Sequence, residues 1–260
     1  MDLGLSGRTA FLCASSQGLG LACATSLARE GVRVVLNGRD AEKLAQTAAA
    51  LVAGLPGAGV ETLAADLTTP EGRAAILARY PQVDILVTNN AGPPPGGLED
   101  WDEAALIAAM QANMIPAAQL IRAYVPGMKA RGFGRIVNIT SAMVKAPHYM
   151  MGLSTAARAA LTALSKAVSR DTVAHNVTIN NLLPERIDTP RQDFMAKRRM
   201  QLEGLSYEEA RAKAASTIAA GRFGRPEEFG DACAYLCSAQ AGFISGQNLQ
   251  LDGGSYEGLV

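Results

Sequence analysis

Seven short runs rich in β-branched residues alternate with alanine-rich stretches, and this alternation limits the fold more than any other feature of the chain. The spacing predicts strands at Thr9–Cys13, Val32–Leu36, Val60–Ala64, Val83–Thr88, Arg135–Ile139, Val177–Leu182 and Asn248–Leu251. Helices are predicted over Leu19–Glu30, Ala41–Ala53, Pro70–Arg79, Glu103–Arg131, Gly152–His175 and Pro226–Ser238. Ile85-Leu86-Val87 and Ile136-Val137 have no polar alternation, as expected of strands covered on both faces. Strand–helix alternation implies right-handed βαβ crossovers and a parallel sheet, an α/β fold. No longer repeat and no Ser/Pro-rich linker divides the chain, so residues 1–260 are read as a single domain. One segment breaks the rhythm. Residues 189–221 predict one or two charged helices without a strand. They form a lid-like insertion beyond the carboxyl ends of the strands, where ligands bind in such sheets. A solvated surface insertion is the alternative.

Composition removes several function classes. Lys plus Arg and Asp plus Glu both number 24, so the net charge is zero and a nucleic-acid partner is not expected. Two His and four scattered Cys leave little for a metal site, and none is expected. Cys233 and Cys237, at i and i+4, share one helix face and read as packing residues. The N-terminus lacks a basic start followed by a long apolar region, so no signal peptide is expected. The uncharged run Ala104–Ile121 contains Gln111, Asn113, Pro116 and Gln119 and reads as a buried helix, not a membrane span. A cytoplasmic protein is expected.

The first strand leads into Cys13-Ala14-Ser15-Ser16-Gln17-Gly18-Leu19-Gly20. Glycines where a strand turns into a helix let backbone N–H groups approach a pyrophosphate at the positive helix end. The second strand ends at Leu36-Asn37-Gly38-Arg39, with no carboxylate before Asp40 for a ribose 2′-hydroxyl. Arg39 suits a 2′-phosphate, which favours NADP(H) over NAD(H). Asp66, at the end of the third strand, is placed to accept from an adenine amino group, or to cap the next helix. The expected cofactor-binding set is Ser15, Gln17, Gly18, Leu19, Gly20, Arg39, Asp66, Leu67, Asn90, Ala91, Gly92 and Pro184.

The motifs resemble those of the short-chain dehydrogenase/reductase family over essentially the whole chain, and within it the 3-oxoacyl-[acyl-carrier-protein] reductases. They are Asn89-Asn90-Ala91-Gly92, Gly134 to Ser141, Gly221 to Glu228, Phe243 to Gln247 and Leu251 to Gly254. The resemblance implies a Rossmann-type doubly wound parallel sheet with helices on both faces. It also implies a small-molecule or acyl-thioester substrate and a homo-oligomer, tetramer or dimer, with a mixed oligomer as the alternative.

Departures from the family pattern fall at the chemistry. Cys13-Ala14 replaces Thr-Gly, and Pro184-Glu185 replaces Pro-Gly. The family uses Asn, Ser, Tyr and Lys. Asn113 and Ser141 match, but Ser154 and Arg158 stand where the Tyr and Lys are expected. None of Tyr80, Tyr124, Tyr149, Tyr207, Tyr235 and Tyr256 has Lys four residues later. Asn113, Ser141, Ser154 and Arg158 are therefore the candidate catalytic residues. Serine donates a hydrogen bond but is a poor proton source, and loss of general acid–base help costs about 10²–10⁴-fold. Lys145, His148 and Tyr149, in the loop between the two serines, are candidate substitutes; His175 reads as structural. Three readings follow: an NADP(H)-dependent oxidoreductase with an altered proton donor, a non-catalytic subunit partnering an active relative, and a nucleotide-binding sensor.

Overall fold

Thr9–Leu12 (β1), a largely apolar strand followed by the Gly18 turn, lies third among the seven strands of the sheet in a computed structural model that describes residues 1–259. The other strands are Arg33–Gly38 (β2), Val60–Ala64 (β3), Ile85–Thr88 (β4), Gly134–Ile139 (β5), Val177–Pro184 (β6) and Asn248–Leu251 (β7). Among the described residues the sheet is parallel throughout, in the order β3-β2-β1-β4-β5-β6-β7. The order reverses between β1 and β4, which opens a crevice at their carboxyl ends.

The helices are Gly18–Arg29 (α1), Ala41–Gly54 (α2), Pro70–Arg79 (α3), Glu103–Asn113 (α4), Ile115–Arg131 (α5), Gly152–Thr172 (α6), Pro190–Glu203 (α7), Tyr207–Ser216 (α8) and Pro226–Cys237 (α9). One core joins α1, α2 and α9 to the sheet through Leu27, Leu44, Phe229, Cys233 and Cys237. A second joins α3, α5 and α6 to the opposite face through Ile76, Leu120, Met128 and Leu161. Each of these fully buried side chains contributes roughly 1.5–3 kcal/mol. The doubly wound α/β fold expected from the alternation is present, and Cys233 and Cys237 are packing residues with free thiols.

Two expectations need correction. The helix read as continuous over Glu103–Arg131 breaks at Met114 into α4 and α5. Pro116 has no N–H to give the Ala112 carbonyl, which instead accepts from Asn90 Nδ2 at 2.9 Å. The run is long and apolar enough by length and composition to cross a bilayer. Its Leu120, Ile121, Tyr124 and Met128 nevertheless pack into the sheet core. The last predicted turn of Gly152–His175 is a separate 3₁₀ turn, closed by Asn176 in the left-handed region (φ 56°).

A polar row crosses the sheet beneath the crevice. Thr88, Asn138, Asn181 and Asn248 stand opposite one another in register, and their side chains link β4 to β7 at 2.7, 3.0 and 2.8 Å. Asn138 also donates to Ser165 of α6 at 2.9 Å, so the row fixes the helix that carries Ser154 and Arg158.

Candidate active site

The glycine turn is held from several sides. Ser15 is fully buried; its hydroxyl donates to Leu12 O (2.8 Å) and accepts from Asn37 N (3.0 Å). Asn37 Nδ2 donates to the carbonyls of Leu63 and Ala65, both at 3.1 Å. Asn89 Nδ2 reaches Ala14 O at 3.2 Å. Gly18 has φ 61°, and a Cβ on Gly20 would lie 2.6 Å from Ala14 O, so the turn admits no side chain there. Gln17 precedes α1 without a side-chain cap, and the first turn carries no acid. The first N–H groups of α1 thus form an uncapped positive end of the kind that binds pyrophosphate, and a dinucleotide fits this cradle. Leu19 is partly buried against the neighbouring core.

Asp40, the first acid after β2, is committed to capping α2, where it accepts from Lys43 N at 3.0 Å. Arg39 is exposed beside it, and Lys43 Nζ bonds Gln17 Oε1. Two cations therefore flank the end of β2. Lys43 was not evident in the sequence, because its approach to Gln17 crosses the turn. Asp66 does not cap α3; Thr69 does, accepting from Gly72 N at 3.0 Å. Asp66 Oδ1 accepts from the Thr68 N–H and hydroxyl (2.8 and 2.7 Å), and these bonds, with Arg39 nearby, hold its carboxyl below the usual range. Leu67 is buried in the second core.

Asn90, Ala91 and Gly92 are wedged between the other candidates. Asn113 Nδ2 donates to Ala91 O at 3.2 Å, while its Oδ1 is buried with no partner among the described residues. A Cβ on Gly92 would lie 3.2 Å from Ser154 Oγ and 3.5 Å from Arg158 Nη2. Arg158 donates through Nε to Ser154 Oγ (3.2 Å), through Nη1 to Ile139 O (2.9 Å) and Thr140 O (3.1 Å), and through Nη2 to Asn90 O (3.4 Å). Burial, and secondarily repulsion from Arg191, pull its pKa down to about 10, so it is charged at neutral pH. Because Arg158 donates to Ser154 Oγ, the serine's own proton is free to point outward, and the cation polarises that O–H. Ser141 Oγ accepts from Met143 N at 3.2 Å, which likewise leaves its proton free. Asn113, Arg158 and Asn90 line one small pocket, and Gly92 and Ser154 lie against Arg158, so the structure brings these together. No direct bond joins Ser141 to them among the described residues.

The candidate substitutes lie apart. Tyr149 accepts from Leu98 N at 3.0 Å, and its ring tilts against Trp101 at 5.7 Å. Lys145 sits 5.4 Å from the centre of the Tyr256 ring. His148 is exposed, and its Nδ1 accepts from Met150 N at 3.3 Å. No contact among the described residues joins any of the three to Ser154 or Arg158.

Pro184 ends β6, and the Glu185 carboxylate pairs with Arg186 at 3.6 Å. Arg186, at φ 52°, donates to Ala214 O at 2.9 Å and to Thr217 Oγ1. Arg211 binds Asp188 (2.8 Å) and Asp193 (3.5 Å). These contacts pin α8 to the end of β6. The charged segment after β6 is thus a pair of helices, and Thr189 lies against Gly18.

Sheet order, uncapped glycine turn and the cluster at the carboxyl ends of β4 and β5 define a Rossmann-type dinucleotide-binding domain. The chain belongs to the short-chain dehydrogenase/reductase family. A family model described as enoyl-(acyl carrier protein) reductase matches residues 13–256. The NADPH-dependent reductase BacG of Bacillus subtilis is 31% identical over 98% of this chain and 100% of that protein. The 3-oxoacyl-[acyl-carrier-protein] reductase FabG of Vibrio cholerae is 28% identical over 98% of this chain and 99% of its own. The structure of L-sorbose reductase from Gluconobacter frateurii, complexed with NADPH and L-sorbose, superposes with TM-score 0.93 at 30% identity, covering 100% of both chains.

Proposed function

We propose that this protein is an NADPH-dependent short-chain reductase acting on a carbonyl or hydroxyl substrate, similar to the 3-oxoacyl reductases but with an altered proton donor. The observation that carries the reading is the Arg158–Ser154 hydrogen bond beside Gly92, within a dinucleotide cradle that is intact. Relatives that use NADPH support the cofactor, as do Arg39 and Lys43 at the end of β2.

The α1 N-terminus, Gly18 and Gly20 bind the pyrophosphate, Arg39 the 2′-phosphate, and Asp66 and Leu67 flank the adenine. Ser15 shapes the turn from within, and Gln17 and Leu19 border it. Asn90, Ala91, Gly92 and Pro184 line the nicotinamide end. Bound NADPH supplies the hydride. Ser154 and Ser141 donate hydrogen bonds to the substrate oxygen, and the Arg158 charge stabilises the oxyanion that develops there. Asn113 holds the Asn90–Gly92 backbone in place. Arg158 keeps its proton at neutral pH, so the oxyanion takes its proton from water. Helices α7 and α8 serve as the lid. The same reading places the protein in the cytoplasm as a homo-oligomer, supported by Leu106, Ile107 and Ile115 exposed along α4 and α5.

Fluorescence titration tests the cofactor assignment: NADPH binds more tightly than NADH, and binding of neither rejects the reading. Ser154→Tyr with Arg158→Lys is expected to raise reduction of a generic 3-oxoacyl thioester about tenfold or more, by restoring a phenol donor. No gain, with the wild type active on another carbonyl, rejects the 3-oxoacyl likeness.

A further inference from the structure

Two loops leave the site and are joined again outside it. Gly92, beside Ser154, leads through Pro93-Pro94-Pro95 to Gly96; Met151 leads through Gly152 into the first turn of α6 and Ser154. Gly96 pairs with Met151 as a parallel bridge, and its N–H donates to Met150 O at 2.8 Å. Farther along, the Leu98 N–H donates to the Tyr149 hydroxyl at 3.0 Å. Trp101 braces the pair. Its indole N–H donates to Gly96 O at 3.2 Å, its ring tilts against Tyr149, and it packs with Leu153 and Ala157 of α6. A Cβ on Gly152 would lie 2.2 Å from that ring, so the glycine lets the tryptophan seat against the start of α6. Three successive prolines fix φ in the first loop and hold the spacing to Ser154. Gly92 to Gly96 is a reach of at most about 14 Å, and Gly152 is two residues from Ser154. This ledge turns apolar groups to solvent. Leu98 is 69% exposed, Tyr149 59% and Met150 36%, although hydrogen bonds fix the backbone around them. Nearby acids are spent on backbone N–H groups, Asp100 on Gly97 at 2.9 Å and Asp102 on Ala105 at 2.8 Å. Ordering exposed apolar side chains gains the fold little by itself, and this ordered patch is continuous with the site through both of its loops.

We propose that Leu98, Tyr149 and Met150, braced by Trp101, seat an apolar tail of the substrate while Ser154 holds its carbonyl oxygen, so that the substrates are carbonyl compounds with a long alkyl tail. The proposal rests on the reductase reading and specifies its substrate. Tyr149 forms a seat and does not deliver a proton. A tail laid across the ledge buries one side of each methylene, which gains about twofold to fourfold in binding per methylene covered. The gain falls mainly in KM, because the tail lies away from the reacting carbon.

The test is a series of methyl 3-oxoalkanoates with tails of about two to twelve carbons, at saturating NADPH. kcat/KM is expected to stay flat for the shortest tails and then to climb about twofold to fourfold per methylene, through KM, once the tail reaches the ledge. Tyr149→Ala is expected to cost the longest tail about tenfold more than the shortest, and Tyr149→Phe to keep the climb. A loss in Tyr149→Phe that is equal at every length and lies in kcat makes the hydroxyl a proton donor and overturns the proposal. A wild-type series without a climb overturns it too, as does a rise in the NADPH Kd of Tyr149→Ala that matches its loss on long tails. Sedimentation velocity covers the other occupant: dissociation of Tyr149→Ala into smaller species assigns the ledge to a subunit contact and overturns the proposal. Trp101 is the only tryptophan of the chain, so its emission reports the seat without turnover. A saturable change in that emission with a long-tail 3-hydroxy ester, lost in Tyr149→Ala, supports the seat even where NADPH fails to bind, a failure that rejects the reductase reading alone. Intact turnover on long tails with no change in Trp101 emission rejects the seat alone.

Discussion

Gly20→Ala tests the cofactor cradle most directly. The new methyl would lie 2.6 Å from Ala14 O and 2.9 Å from Ser15 Cα, and neither atom is the end of a flexible side chain. Ala14 is already left-handed at φ 45°, and its carbonyl accepts from Asn89. Relieving the clash moves the turn by about half an ångström and loosens that bond, an overpacking cost of about 1–3 kcal/mol. At about 2.1 cal/mol/K of unfolding entropy per residue, a chain of this length loses about 2–6 °C in Tm. The binding effect is larger in proportion. NADPH at 100 times its Kd stabilises the wild type by about 2.7 kcal/mol, or about 5 °C. Displacing one charge-assisted N–H bond to phosphate weakens binding about 10–100-fold. At the lower limit of affinity the ligand-induced shift of the variant then falls below about 1 °C. Differential scanning fluorimetry with and without NADPH reads both effects. Gly54→Ala is the control, since a Cβ there meets nothing within 4 Å. If Gly20→Ala keeps the full NADPH shift, the pyrophosphate does not sit on the α1 N-terminus and the cofactor placement is wrong.

Arg39→Gln is expected to weaken NADPH about 10–100-fold and NADH by no more than about twofold; equal losses in the two titrations would remove Arg39 from the 2′-phosphate. Ala14→Gly relieves a left-handed alanine, worth about 1–2 kcal/mol, against the extra chain entropy of glycine, about 0.5–1 kcal/mol. A net rise of up to about 3 °C in Tm follows, and a fall would show that the Ala14 methyl is needed for packing. Arg222 and the Arg225 N–H hold the Glu228 carboxyl down to about 2. Because its folded pKa lies below the unfolded value, its stabilisation is present above about pH 4.5 and is lost as pH falls toward 2. Urea midpoints of Glu228→Gln should lie below wild type at pH 6 and converge on it in acid; a gap independent of pH would mean the carboxylate charge is not involved.

Much of the fold was legible because its signals are local. The predicted bounds of β3, α3 and β7 coincide with those observed. Pro70 at the start of α3 and the Thr69 cap act within one turn. The break at Met114 was not legible. It depends on Pro116 together with Asn90, which lies more than twenty residues away in sequence and supplies the missing donor to Ala112 O. The uncapped α1 was legible in part, as glycines after a strand, but the tether from Asn37 to Leu63 and Ala65 was not. An asparagine at that position carries no local pattern that reveals a cross-strand bond.

At the site the division is similar. Residue order alone determined the doubly wound sheet and the family motifs, and put Ser154 and Arg158 forward as candidates where the resemblance expects Tyr and Lys. These follow from backbone periodicity and from counting along the chain. Only the tertiary structure decided what Ser154 and Arg158 touch. It turned the Arg158 fork onto Ser154 and three carbonyls, tied Tyr149 to Leu98, and spent the acids around α7 on Arg211, Arg186, Arg199 and Lys213. Whether a charge is paired depends on neighbours through space, at distances where Coulomb energy changes steeply. No count of equal numbers of acids and bases reveals which arginines are left without a partner.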